Sequence, residues 1–354
     1  MKHFIKLISS LAFCFSFYLN AAHFSIQDLG TLVTEQSFVS GINENDLIAG
    51  KLIDQGINTD FIWTEKDGLT RLDHQSTYQA PLLNNRGVIA GVFWYKTEFW
   101  FEANTTSKNL YLRYLDGTFK NIGFPSKWKN KSLKDWQTPY AWDEKEIGII
   151  GFNDKDQLLL MNASTKSKAN EFAIWEKGMF DYIDRETLDK AYAINNSGII
   201  LGRKWIKENG ISIPMLVLYD REKNSYIEIM KDINLFSVAL NNLGEVAIVQ
   251  GSKEENWKGF YWTIEKGLNP LDFLPFCMNN QNQIVGIKIF ENTFFPVLCD
   301  NGKLVNIAED LKIGEPETLW TCIKSFVGIN DSGRIVGIGE FEGMMHGFML
   351  TPQQ

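Results

Sequence analysis

The sequence Ile329-Asn330-Asp331-Ser332-Gly333-Arg334-Ile335-Val336-Gly337 decides the fold, because its first five positions recur along the whole chain. Each copy has an apolar residue, Asn, two variable residues, and then Gly, Asn or Asp; we call this the Asn phrase. The other copies are Ile42–Asp46, Leu83–Gly87, Phe152–Asp156, Ile194–Gly198, Leu240–Gly244 and Met278–Asn282. Successive Asn residues are 41, 69, 42, 46, 38 and 51 positions apart. Apart from the long second interval, this is the spacing of propeller blades.

Each Asn phrase predicts a tight turn between two antiparallel strands. Asn suits the first position of a type I turn, since its side chain can bond to the backbone two residues on. Gly, Asn and Asp are the residues that enter the left-handed region at least cost. A type I turn followed by a left-handed residue is a three-residue hairpin with a G1 bulge. In the last copy we expect strands at Ser325–Ile329 and Arg334–Gly337.

A second hairpin follows every copy except the last. It begins with an apolar, aromatic-rich strand that ends at Trp63, Tyr114, Trp175, Tyr219, Trp262 or Cys299. A Gly or Asn then precedes a last strand, such as Leu304–Ile307, so each unit has four strands. Ser25–Gly30 resembles these last strands and supplies the one that the seventh copy lacks. The sequence therefore predicts an all-β fold: a seven-bladed propeller over 23–354, closed by its N-terminal strand.

Three sequence features resemble the bacterial extracellular HAF-repeat family. They are Asp28-Leu29-Gly30-Thr31-Leu32, the repeated Ile-Asn-x-x-Gly-x-Ile-x-Gly, and His346-Gly347-Phe348, the equivalent of the family's His-Ala-Phe tripeptide. Most repeats of this chain lack the His, so the tripeptide is expected to be structural, with His346 as a packing residue at the end of a strand. The resemblance implies an exported propeller-like protein and supplies no catalytic residues.

The first 22 residues have the layout of a secretory signal peptide. Lys2 and Lys6 precede the apolar run Leu7–Leu19, which is too short to span a membrane. Cleavage would leave 33 basic residues against 43 acids, a net charge of −10. Such a chain is unsuited to nucleic acid or to anionic lipid. We therefore expect a secreted or periplasmic monomer that is not inserted in a membrane after cleavage.

No pattern of residues predicts a catalytic centre, a metal site or a cofactor. His23, His74 and His346 lack metal-ligand spacing, and no phosphate-binding loop, Gly-x-Ser-x-Gly or His-Glu-x-x-His occurs. After cleavage three cysteines would remain, and Cys277 and Cys299 fall on the first and third strands of one blade, beyond disulfide reach. Buried free thiols are expected.

Aromatic residues concentrate where the repeat is interrupted. In a propeller, the turns between strands one and two and between strands three and four open on one face. The longer, more variable connections open on the other, where function is usually found. Five of the 11 Trp residues lie between positions 94 and 142. The predicted ligand-binding residues on these loops are Trp94, Trp100, Trp128, Trp136, Tyr140 and Trp142. They could anchor a glycan or a protein, or pack together as a small satellite core.

Two functional hypotheses follow. The first is an exported, non-enzymatic propeller that binds a glycan, a cell-surface component or a protein through its loop-rich aromatic face. The alternative is a secreted polysaccharide-active hydrolase or lyase that uses carboxylates near the central channel. A purely structural surface protein is a third interpretation. Fold alone does not separate them, because propellers carry many unrelated activities.

Overall fold

The chain forms seven antiparallel sheets in this computed structural model. The structure describes residues 23–30, 36–75, 77, 79–97, 105–123, 125, 145–164, 170–231, 234–251, 257–291, 293–316 and 318–353. Within these ranges there are 28 strands and one four-residue helix. Each sheet has four strands, so the predicted all-β, seven-bladed propeller is confirmed.

The strands follow the chain from blade to blade. The closing strand is β1 His23–Asp28, and blade 1 contains β2 Gln36–Ile42, β3 Ile48–Asp54, β4 Ile57–Thr64 and β5 Gly68–Gln75. Blade 2 contains β6 Leu82–Leu83, β7 Ile89–Thr97, β8 Thr105–Arg113 and β9 Phe119–Gly123. Blade 3 contains β10 Lys145–Phe152, β11 Leu158–Ser164, β12 Glu171–Glu176 and β13 Met179–Ile183. Blade 4 contains β14 Lys190–Ile194, β15 Ile199–Glu208, β16 Ile211–Asp220 and β17 Ser225–Lys231.

The remaining blades repeat the same order. Blade 5 contains β18 Leu235–Leu240, β19 Val246–Gln250, β20 Lys258–Thr263 and β21 Gly267–Leu271. Blade 6 contains β22 Leu274–Met278, β23 Ile284–Phe290, β24 Thr293–Asp300 and β25 Lys303–Asn306. Helix α1 Ile307–Asp310 follows, and blade 7 contains β26 Trp320–Ile329, β27 Ile335–Phe341 and β28 Met344–Gln353. Ile307 starts the helix rather than ending β25 as expected, because the Asn306 side chain caps the backbone N–H of Glu309.

Strand β1 closes the ring as predicted. It pairs antiparallel with β28, from His23 opposite Gln353 to Asp28 opposite Phe348. Leu29, which is only 1% exposed, continues the seam by donating its backbone N–H to the Gly347 carbonyl at 3.1 Å. Closure leaves blade 7 with a full set of four strands.

His346 is a buried packing residue near the start of β28, and it is also part of this seam. It lies within β28, opposite Gly339, and its side chain is 6% exposed. Its Nδ1 lies 3.1 Å from Asp28 Oδ1, and its ring stacks on Phe341 at 5.3 Å. The His-Gly-Phe tripeptide thus has a structural role in this chain, where it contacts the closing strand.

All seven Asn phrases form the predicted turn. The fourth residue of each phrase, counting from Asn, has a positive φ, from 58° at Asp156 to 86° at Gly198. In every copy the Asn Oδ1 accepts the backbone N–H four residues on, at 2.9–3.0 Å. In six copies it also accepts the N–H two residues on. This bonding explains why Asn recurs at the position.

The same Asn side chains also join each blade to the next, which the sequence did not predict. The Asn43 Nδ2 donates to the carbonyl of Asn84, the next Asn in the ring, and the pattern continues until Asn330 donates to the carbonyl of Asn43. The residue after each Asn forms a second closed circuit, in which its backbone N–H donates to the equivalent side chain of the next blade. Fourteen hydrogen bonds thus close the ring at this face.

The hydrophobic core lies between the blades. Trp63, for example, packs with Val336 and Met349 of blade 7, and Trp262 packs with residues of blade 4. Cys277, Cys299 and Cys322 are all free. Only Cys277 is buried as expected, and burial raises its pKa to about 12. Cys299 and Cys322 are half-buried, so the expectation of buried thiols is wrong for these two.

Candidate functional site

The ring has two unlike faces. The short-turn face carries the Asn phrases and the turns between the third and fourth strands. The hairpin face carries the ends of the second and third strands and the connections between blades. Of the predicted ligand-binding residues, Trp94 lies in β7 opposite Lys108. Trp100, Trp128, Trp136, Tyr140 and Trp142 lie outside the described residues. Their binding role remains a prediction.

The hairpin face carries exposed aromatic residues on blades 4, 5 and 6, where no binding residue was predicted from the sequence. In blade 4, strands β15 and β16 are ten residues long and pair along their full length. Near the end of this hairpin Trp205 is 50% exposed and Ile211 is 66% exposed. The Arg203 guanidinium lies 5.4 Å from the Trp205 ring centre and is held by the Asp189 carboxylate at 2.5 Å. One side of the indole therefore makes a cation–π contact with the ion-paired Arg203, and half of the side chain is open to solvent.

In blade 6, strands β23 and β24 form a similar hairpin. Phe290 and Phe294 are 60% and 59% exposed, and Ile289, opposite Phe294, is 41% exposed. Lys288 pairs with the Asp272 carboxylate at 2.6 Å beside them. Alternate residues of a strand point to opposite sides, so a hairpin that projects beyond its neighbours exposes apolar side chains on both sides.

Blade 5, between these hairpins, adds an aromatic pair. Phe236 is 57% exposed and lies where the pairing of β18 and β19 shifts register. Its ring stacks on Trp257 at 5.1 Å. The buried Nε1 of Trp257 has no hydrogen-bond partner within the described part of the chain. We call the side chains on these three blades the hairpin-tip surface: Trp205, Ile211, Phe236, Trp257, Ile289, Phe290 and Phe294.

A signal for this surface existed in the sequence. The segment from Arg203 to Pro214 carries Trp205, Ile206, Ile211 and Ile213 around the sequence Glu-Asn-Gly, and Phe290 to Phe295 carries three Phe residues around the sequence Glu-Asn-Thr. A search confined to long loops overlooks them, because they lie on strands. Their exposure, rather than their type, distinguishes them from core aromatics such as Trp262, which is 5% exposed.

A buried polar cluster lies between blades 1 and 2. Lys51 Nζ donates to Asp60 Oδ1 at 2.9 Å and to the Thr77 carbonyl at 2.6 Å. The Tyr111 hydroxyl donates to Asp60 Oδ2 at 2.7 Å. Burial lowers the pKa of Lys51 and raises that of Tyr111 well above its ordinary value. All three side chains are at most 3% exposed, so this cluster joins two blades rather than offering a surface to a ligand.

The short-turn face contains a groove of about 910 Å³ that crosses blades 4, 5 and 6. Along it Tyr261 donates its hydroxyl to Asn282 Oδ1 at 3.0 Å. Burial and a hydrogen bond to Glu245 raise the pKa of Tyr261. Leu243 and Ile264 at the groove are 64% and 70% exposed. The described chain thus has two open surfaces, one on each face.

The described residues contain neither a metal-ligand cluster nor a membrane-spanning helix. Within the described ranges, no three His, Cys, Asp or Glu side chains come together as a metal site would require. The described helix α1 is four residues long, and no helix in the described residues has the length and apolar character of a membrane span.

Known structures of low sequence identity share this fold. Over 95% of this chain and 96% of the other, it superposes on an oligogalacturonate lyase in complex with manganese, with a TM-score of 0.59 and 10% identity. The β-propeller domain of the trilobed protease from Pyrococcus furiosus gives a TM-score of 0.55 at 12% identity, covering 90% of this chain and 96% of the other. TolB from Acinetobacter baumannii gives 0.42 at 15% identity, and the alignment covers 77% of this chain but only 62% of TolB.

The likenesses to the lyase and to the protease domain support the propeller fold alone. No model of a known protein family matches the sequence, so the HAF-repeat resemblance stays a prediction. No curated protein matches it either. The proteins of similar fold include a lyase and a peptidase, so a shared fold leaves the function to be argued from the surfaces of this chain.

Proposed function

We propose that the chain is a recognition scaffold that binds a protein partner through its hairpin face. The observation that carries this proposal is the hairpin-tip surface, where Trp205, Phe236, Phe290 and Phe294 are each half or more exposed on three successive blades. Exposed apolar clusters of this kind mark interaction sites, and aromatic residues dominate the energetics of protein interfaces. The aliphatic Ile211 and Ile289 beside them favour a protein over a glycan, since sugar rings stack on flat aromatic faces.

The test compares the two faces of one molecule. The unmodified protein is screened against displayed cell-envelope proteins and a glycan array. Each hit is then measured with the triple variant Trp205→Ser, Phe290→Ser, Phe294→Ser. We expect a loss of at least tenfold in affinity, since a hot-spot side chain contributes 2 kcal/mol or more. The matched control is Met179→Ser, which removes a 72% exposed side chain from the short-turn face.

Three results would contradict this proposal. If the triple variant bound every hit as well as the unmodified protein, the hairpin-tip surface would not be the site. If the protein cleaved a polysaccharide by hydrolysis or β-elimination, the alternative enzymatic hypothesis would replace it. Hits confined to the glycan array would assign the surface to a glycan partner.

We also propose that the protein is exported. Support comes from Lys2 and Lys6 ahead of the apolar run Leu7–Leu19. Cell fractionation with mass spectrometry of the mature N-terminus tests this. We expect a chain that starts close to His23 outside the cytoplasm. A cytoplasmic chain that retains residues 1–22 would contradict it.

A further inference from the structure

The groove on the short-turn face reaches one blade that lacks a large side chain. In every blade the fifth residue after the phrase Asn pairs with one residue of the third strand, which we call the crevice position. In blades 1 to 7 this position holds Trp63, Arg113, Trp175, Tyr219, Trp262, Cys299 and Leu350. Cys299 in blade 6 is the smallest of the seven.

Side chains at the crevice position pack toward the preceding blade. Trp63 lies in a cluster with blade 7, Trp175 in a cluster with blade 2, and Trp262 in a cluster with blade 4. These three rings are 4%, 3% and 5% exposed, so each fills its crevice. Cys299 likewise packs in the cluster between blades 5 and 6, but it is too short to fill the space and remains half-buried.

The groove of about 910 Å³ that crosses blades 4, 5 and 6 reaches this position at one end. Its blade 6 end is lined by Cys299 and Ile284 together with Tyr261 and Leu271 of blade 5. Asn282 and Asn301 provide amide groups at the edge. An aromatic side chain, a thiol and two aliphatic side chains form the surroundings that an aromatic ring prefers, with polar partners within reach of its rim.

We propose that the blade 5/6 crevice binds the aromatic ring of a ligand, in the place that Trp63, Trp175 and Trp262 occupy in their own crevices. An aromatic ring is the expected occupant because the equivalent crevices of blades 1, 3 and 5 each enclose the indole of a Trp. The site lies on the opposite face from the hairpin-tip surface and does not depend on the proposed function. Leu243 and Ile264 farther along the groove offer apolar contacts to the rest of a larger ligand.

Indole is the probe for the first experiment, which uses the unmodified protein. Cys299 and Cys322 are both half-buried, so Cys322 serves as an internal control. The rate of iodoacetamide modification at each thiol is followed by peptide mass spectrometry at alkaline pH, because burial raises the pKa of Cys299. We expect saturating indole to slow modification of Cys299 at least fivefold and to leave Cys322 unchanged. Equal rates with and without indole, or equal slowing of both thiols, would overturn the proposal.

A filled-crevice variant provides the second experiment. Cys299→Trp restores the residue of blades 1, 3 and 5, and Met179→Ser is the control on the same face outside the groove. Calorimetry is expected to show at least tenfold weaker indole binding in Cys299→Trp and unchanged binding in Met179→Ser. Indole binding of equal strength in all three proteins would place the ring elsewhere. If the Trp variant does not fold, the thiol-protection result alone decides.

Discussion

The two faces of the propeller follow opposite rules. At the short-turn face every blade repeats the same bonds, as when Asn153 accepts the N–H groups of Lys155 and Gln157 and donates to the carbonyl of Asn195. At the hairpin face the blades differ, and blade 4 presents Trp205 at the position that Glu340 occupies in blade 7, ten residues after the phrase Asn in each blade. The repeated residues hold the ring together. The exposed residues that depart from the repeat are available for a partner.

The largest effect is expected from removing the closing strand. Deletion of residues 23–30 takes away all of β1 together with the buried Phe24 and Leu29. Losing two large buried side chains costs on the order of 4 kcal/mol or more, beyond the lost strand pairing. Urea denaturation should show a lower midpoint and a broader transition. Gln27→Ala, an exposed change in the same strand, is the control, and an unaltered midpoint in the deletion would contradict ring closure.

The next largest loss of stability is expected from the buried polar cluster between blades 1 and 2. Asp60→Ala leaves Lys51 buried without its carboxylate and removes the acceptor of the Tyr111 hydroxyl. Breaking a buried pair costs about 3–5 kcal/mol, whereas replacing both charges with apolar residues is often neutral. We therefore expect Asp60→Ala to be far less stable than the double variant Lys51→Met, Asp60→Leu in denaturant titrations. Equal stabilities would mean that the pair is not effectively buried.

A smaller loss is expected from one Asn of the short-turn circuit. Asn153→Ala leaves the N–H groups of Lys155 and Gln157 without their acceptor and removes one of the two donors to the Asn195 carbonyl, which costs roughly 2–3 kcal/mol. Asn269→Ala is the matched control, since this half-buried Asn donates to a backbone carbonyl of its own hairpin, that of Gly267. Its loss should stay below about 1 kcal/mol. If both variants melt alike, the circuit contributes nothing beyond an ordinary turn.

These expectations also show what a single sequence can reveal. The Asn phrase predicted the turns and the blades, because a left-handed turn residue and an Asn acceptor are local requirements. The closing strand was predicted because Ser25–Gly30 resembles the last strand that the seventh copy lacks. The contact of each Asn with the next blade was not predictable in this way, since it depends on how 38–69 residues of intervening chain fold. The exposure of Trp205 was not predictable either, because it also depends on how distant parts of the chain fold. Strand periodicity shows which side of a strand a residue is on, but not whether a neighbouring blade covers it.

The smallest effect is expected from Trp205→Ala, with Trp262→Ala as its comparison, since the two Trp residues look alike in the sequence. Trp262 occupies a crevice position and is 5% exposed, whereas Trp205 on the hairpin tip is 50% exposed. Trp262→Ala should cost about 3–5 kcal/mol through lost packing, and Trp205→Ala about 1 kcal/mol or less, because its ring contacts mainly solvent and the Arg203 guanidinium. Chemical denaturation measures both, and binding of a hydrophobic dye should fall only in the Trp205 variant. If Trp205→Ala were as destabilising as Trp262→Ala, the tip Trp would be a packing residue and the hairpin face would lose its strongest candidate for partner binding.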